Sequence, residues 1–207
     1  MDVEQFQRTR RALHGVAELL LAGPAYARDG DIRLRPTPGG FGVWRQPGPR
    51  IEGADLVADH HLIPLGGTVE ALAEAARVVP RTLTDVYCDG AGVTLADVLD
   101  VDPAAVHLLA SAFSTGEQAL RQFAPDSEPV LWPEHFDIGI TVDEINYGVS
   151  PGDAYQAWPY AYVGPSRSRA DAFFNAPFGA ARTLSDLSGV EGIVAFFAQG
   201  RDVAART

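Results

Sequence analysis

In the stretch LWPEHFDIGI, residues 131–140, an imidazole and a carboxylate stand two positions apart, at His135 and Asp137. In an extended chain residues i and i+2 point to the same side, about 6–7 Å apart along the strand, so their polar ends can converge. A carboxylate beside an imidazole orients the ring and raises its basicity, which is what a general base or a metal ligand needs. His135 and Asp137 are therefore the catalytic candidates, as an acid–base pair. The plainer alternative is a strand end, with His135 bonded to backbone and Asp137 facing water.

Around this pair lie side chains that could wall a pocket. Trp132 and Glu134 flank it, and the stretch NYGVSPGDAYQAWPYAYVGP, residues 146–165, adds Asn146, Tyr147, Asp153, Tyr160 and Tyr162. Tyr and Trp supply large, stiff surfaces with polar tips, a composition favoured in pockets and interfaces. Asn146 and Asp153 add directional contacts. If this segment folds back over the strand carrying His135 and Asp137, site and wall coincide. The competing reading is an aromatic cluster that only covers one face of a sheet.

Other motifs carry less. His60-His61 could join His135 and Asp137 in a two-His, one-carboxylate metal site, but adjacent strand residues point to opposite faces and only a turn could present both. PGGFG (38–42) follows a strand and precedes extended residues, so it reads as a hairpin turn and not a phosphate loop. No G-x-S-x-G occurs. Cys88, the single cysteine, reads as a small buried apolar residue, and it excludes an internal disulfide or a cysteine-based zinc cluster.

Three of these segments together, W-P-x-H-F-D at Trp132–Asp137, N-Y-G-x-S-P-G-D at Asn146–Asp153 and P-Y-x-Y-V at Pro159–Val163, carry a resemblance. The pattern resembles an uncharacterised family of actinobacterial proteins. The resemblance implies kinship and a common location for the three segments in space. It implies no chemistry.

The elements that must position these residues follow from periodicity. Apolar positions from Val3 to Leu21 suit a helix over 2–22, ended by Gly23-Pro24. Residues 31–44 and 54–65 read as hairpins, the second reversing near Asp59-His60. Thr68 caps a helix to about Val79, and Asp102-Pro103 opens one that runs to about Phe123. TDVYC (84–88) reads as a strand, and Thr94 as the cap of a short helix. HFDIGITVD alternates cleanly and reads as a strand, followed by an ordered loop that closes into a strand at 160–163. Ser188 and Glu191 form a capping box before a last helix to about Ala205. Helices at both ends with hairpin-like strands between predict an α+β fold, a mostly antiparallel sheet with helices packed on it. Residues 1–207 are taken as one domain, with a division near residue 125 left open.

Composition bounds the partners. The formal charge is −11, and all 16 basic residues are Arg. Acidity without basic clusters argues against a nucleic-acid partner and against docking on anionic membranes. The absence of Lys excludes Schiff-base chemistry. No apolar run is long enough to span a bilayer, and the N-terminus does not read as a signal peptide, so a cytoplasmic location is expected. The expectation is a small-molecule-binding protein, an enzyme if the His-Asp pair acts, with no cofactor called for. A non-catalytic interaction module, including a homodimer, and a metal-dependent hydrolase or oxygenase are the alternatives.

Overall fold

The computed structural model describes residues 1–167 and 170–206. It divides into two compact units, Met1–Ser111 with Leu131–Phe136, and Ala112–Val130 with Asp137–Thr207.

The first unit opens with α1 (Val3–Val16), whose N-terminus is capped by Asp2, which accepts from the Gln5 N–H at 2.8 Å. The predicted stop at Gly23-Pro24 does not end the helix. A π-helical turn, Ala17–Ala22, is followed by α2 (Gly23–Asp29), which closes on Gly30 in the left-handed conformation at φ 72°. Proline cannot donate to the turn before it, and the wider bond from the Gly23 N–H to the Glu18 carbonyl closes that turn. Gly23 serves close approach, not termination: a Cβ there would sit 2.0 Å from the Arg81 carbonyl oxygen. The Arg81 N–H in turn donates to the Leu19 carbonyl at 3.1 Å.

Five strands follow as a meander: β1 (Leu34–Thr37), β2 (Gly40–Val43), β3 (Arg50–Glu52), β4 (Asp55–Ala58) and β5 (His61–Pro64), each antiparallel to the next. Both predicted hairpins are present, and PGGFG is the β1–β2 turn. The reversal at Asp59-His60 has φ of 46° and 69°. α3 (Val69–Ala76) is capped by Thr68 as predicted, but it ends at left-handed Arg77, short of Pro80. Residues 84–88 form a turn and not a strand, and Thr94 leads a turn held by Asp97 and not a helix. Cys88 is exposed, contrary to expectation. The core gathers Phe6, Leu13, Leu20, Leu34, Phe41 and Leu56, each 2% exposed or less. Burying one such side chain contributes about 1.5–3 kcal/mol. β6 (Val130–Trp132) adds to this sheet by pairing Leu131 with Leu34.

α4 (Pro103–Phe123) begins as predicted, with Asp102 accepting from the Ala105 N–H at 2.9 Å. In the second unit β7 (Asp137–Val142), β8 (Ile145–Ser150), β9 (Tyr160–Pro165) and β10 (Ala180–Thr183) pair antiparallel in order. Residues 146–150, expected as loop, are strand. The two-residue turn Asp143-Glu144 carries no glycine and so gave no hairpin signal, although both residues have positive φ, 52° and 61°. α5 (Gly189–Ala204) packs on β9, but Ser188 makes no side-chain capping bond. One face of this sheet is apolar. Tyr147 lies there between Phe123 and Phe197, with ring centroids at 4.7 and 5.7 Å.

The α+β class expected from periodicity is the one observed, with antiparallel strands, helices packed on them, and helices at both termini. The strained Asp-Glu turn yields a stability prediction. Glu144→Gly removes a Cβ from a left-handed site and is expected to raise unfolding free energy by about 1 kcal/mol. Urea unfolding checks it, and an unchanged or lower midpoint would show that the turn carries no such strain.

Candidate functional site

The second unit's other sheet face carries the chemistry. Register places Gly139 opposite Gly148 and Gly148 opposite Tyr162, so two glycines and a tyrosine form one row across β7, β8 and β9. The Tyr162 side chain lies over that row. A Cβ on Gly148 would stand 2.4 Å from its hydroxyl, and one on Gly139 2.9 Å away. The glycines clear the path by which Tyr162 reaches back two strands. There its hydroxyl donates to Asp137 Oδ2 at 2.5 Å. Asp137 is only 9% exposed.

Tyr160 is the next residue of β9 on this face, and its hydroxyl donates to Asp153 Oδ2 at 2.6 Å. Asp153 also accepts from the N–H groups of Tyr155 and Gln156, which fixes the turn that presents it. Burial, then the facing Asp137 carboxylate, push the Tyr162 hydroxyl well above its ordinary pKa. Burial and the bond to Asp153 raise Tyr160 likewise. Both phenols therefore stay protonated at neutral pH and act as donors, not bases. Tyr155 and Phe178 extend the aromatic surface. Tyr155 lies 5.1 Å from Phe178 and 6.1 Å from Tyr160 between ring centroids, and Tyr160 and Tyr162 are 6.4 Å apart. Tyr155 is 48% and Phe178 39% exposed.

The predicted site residues fall into three groups. Asp137, Asp153, Tyr160 and Tyr162 come together on this face. Asn146 lies on it further along β8, exposed, where it accepts from the Thr141 hydroxyl at 2.7 Å. Tyr147 points the opposite way into the helix-covered core and is fully buried, which removes it from the ligand candidates. Burial lifts its hydroxyl to about 12.

Trp132, Glu134 and His135 belong to the first unit. Trp132 is 39% exposed at the end of β6, and Glu134 and His135 lie in the turn 133–136, the imidazole exposed. The premise that His135 and Asp137 share one strand face does not hold. Phe136 is left-handed, at φ 54°, and β7 starts only at Asp137. Phe136 is buried instead, stacked on His14 at 5.0 Å and edge-on to Phe41 at 5.2 Å. The alternation in HFDIGITVD was real from Asp137 onward. At His135 a turn anchored by an aromatic overrides it.

Among the described residues, no group of three or more His, Cys, Asp or Glu side chains is arranged to hold a metal ion. His60 sits in the β4–β5 turn and His61 opens β5, both exposed. None of the described helices is long and apolar enough to cross a membrane.

The chain matches no family model, curated protein or solved structure.

Two features escaped sequence reading. Gly139 and Gly148 sit opposite each other and beside a tyrosine, a pattern visible only once β8 is known to be a strand. Glu18, 8% exposed on the π turn, accepts from the Tyr87 hydroxyl at 2.9 Å and the Ala91 N–H at 2.8 Å, and burial raises its pKa. Its role is to pin residues 87–91 to the helix.

Proposed function

We propose that this protein binds a small molecule on the aromatic, acidic face of its second unit, and that the ligand carries an amine or quaternary ammonium group. The observation that supports this reading is the pairing of two carboxylates, Asp137 and Asp153, with Tyr162 and Tyr160 beside the exposed rings of Tyr155 and Phe178. Ring faces attract cations through their quadrupoles, and carboxylates add negative potential at short range. Asp137 acts as a positioning residue, since its bond holds the Tyr162 ring across Gly148. The proposal is one of binding and assigns no acid–base step to His135.

A thermal-shift screen of an amine-containing metabolite library, with choline as the reference probe, tests the reading. Binders are expected to stabilise the wild-type chain, and Tyr155→Ala or Phe178→Ala should weaken them about five-fold, the scale of one cation–π contact at a half-exposed ring. Both variants alter exposed side chains, so the fold should persist. A screen without amine binders, or binders indifferent to both substitutions, would reject the proposal and leave the face as a protein-interaction surface.

A further inference from the structure

The first unit holds a cavity of about 760 Å³, within the range of small-molecule sites. Its lining departs from the chain's overall balance. Acidic residues outnumber basic ones 27 to 16 in the whole sequence, yet Arg28, Arg50, Arg77 and Arg81 line this cavity together with His60, and Asp59 is the one carboxylate among the lining residues.

Three of these guanidinium groups already meet a carboxylate. Arg28 bonds Asp29 at 3.2 Å, Arg50 bonds Glu52 at 2.8 Å and Arg81 bonds Asp85 at 2.8 Å. Arg81 also stacks over Tyr26, 4.5 Å from its ring centroid. A guanidinium has five donors and each such bond takes one or two, so the group stays able to meet a second oxyanion in its planar fork. Glu52 and Asp85 have side chains 47% and 60% exposed, and ion pairs so open to water compete weakly. Arg77 has no ion pair among the described residues. Val57 and Val78 supply apolar wall.

The backbone supports the same place. Asp59, His60 and Arg77 are all left-handed non-glycine residues, and all three line the cavity. An Asn-Gly turn and a glycine helix end would hold the same backbone without strain. These three positions border the cavity that the arginines line.

From this we infer that the cavity is a binding site for a small organic oxyanion, a phosphate- or carboxylate-bearing molecule whose apolar body lies against Val57 and Val78. The site is separate from the amine-binding face and stands or falls independently of it.

Arg77→Gly provides the test. Glycine suits the left-handed helix end, so the variant is expected to melt at or above the wild-type temperature without ligand. Titration calorimetry of the full chain with pyrophosphate and with citrate, at matched ionic strength, should show wild-type binding of at least one of them. Arg77→Gly and Arg50→Gln should each weaken it tenfold or more. Arg8→Gln on α1, where the guanidinium bonds Asp100, should leave it unchanged. Pyrophosphate binding alone assigns a phosphate ligand, and citrate binding alone a carboxylate. Binding of neither, or equal weakening by Arg8→Gln, overturns the inference. Choline binding should be untouched by Arg77→Gly.

Discussion

Replacing Gly23 with alanine is expected to destabilise the protein by about 3 kcal/mol. The new Cβ would fall 2.0 Å from the Arg81 carbonyl oxygen and 2.9 Å from that of Glu18. Both obstacles are backbone, so no rotamer change relieves them. The strand of chain at Arg81 cannot simply retreat, because its N–H donates to the Leu19 carbonyl, which the π turn leaves available. Overpacking of this kind costs about 1–3 kcal/mol, and breaking the bond to let the segments part adds about 1 kcal/mol. Urea unfolding of the variant measures the sum. A midpoint equal to that of the wild type would show that the segments are not pressed together at Gly23.

That glycine also shows why part of the fold was legible and part was not. Gly-Pro at 23–24 carries the local signature of a helix stop, and local chemistry cannot reveal that a distant carbonyl needs the space. The same limit hid β8. Its strand residues read as loop because Asp143-Glu144 lacks the glycine that advertises a tight turn, and the tyrosines around it suggest a pocket. Elements whose signals are local and mutually consistent were readable: Thr68 and Asp102 as caps, PGGFG as a turn, Asp59-His60 as a reversal. The candidate site was legible in its residue types but not in its geometry. Tyr147 and Tyr162 look equivalent in a list of aromatics. Register sends one beneath Phe197 and the other over Gly148 to Asp137. Likewise the arginines at 28, 50, 77 and 81 are scattered in the chain, and only the placing of α2, β3 and the end of α3 brings them around one cavity.

Acid is expected to remove about 3 kcal/mol of stability through His14 alone. Its ring stacks on Phe136 at an interplanar angle of 6°, and its Nε2 lies 2.6 Å from the Pro133 carbonyl oxygen, to which the neutral imidazole donates. Burial is the main cause that lowers its pKa from 6.5 to about 4; the Pro133 bond works in the opposite direction, and the charges of Arg10 and His135 add to the lowering. A folded-state pKa below the unfolded one means that protons favour the unfolded chain. The contribution is complete above about pH 6.5 and is lost as pH falls toward 4. At about 1.4 kcal/mol per unit the shift corresponds to about 3 kcal/mol. Carboxylates titrate over part of the same range, so the measurement must be a difference. His14→Phe keeps an aromatic on Phe136 and removes the titrating group, at the expense of an unpaired Pro133 carbonyl. Between pH 7 and pH 4 the wild type should lose about 3 kcal/mol more than the variant in urea unfolding. Parallel losses would mean that the imidazole accepts its proton without leaving the core. The turn 133–136 is fastened by this ring, so the same protonation should loosen the segment that carries Glu134 and His135 before the rest of the first unit unfolds.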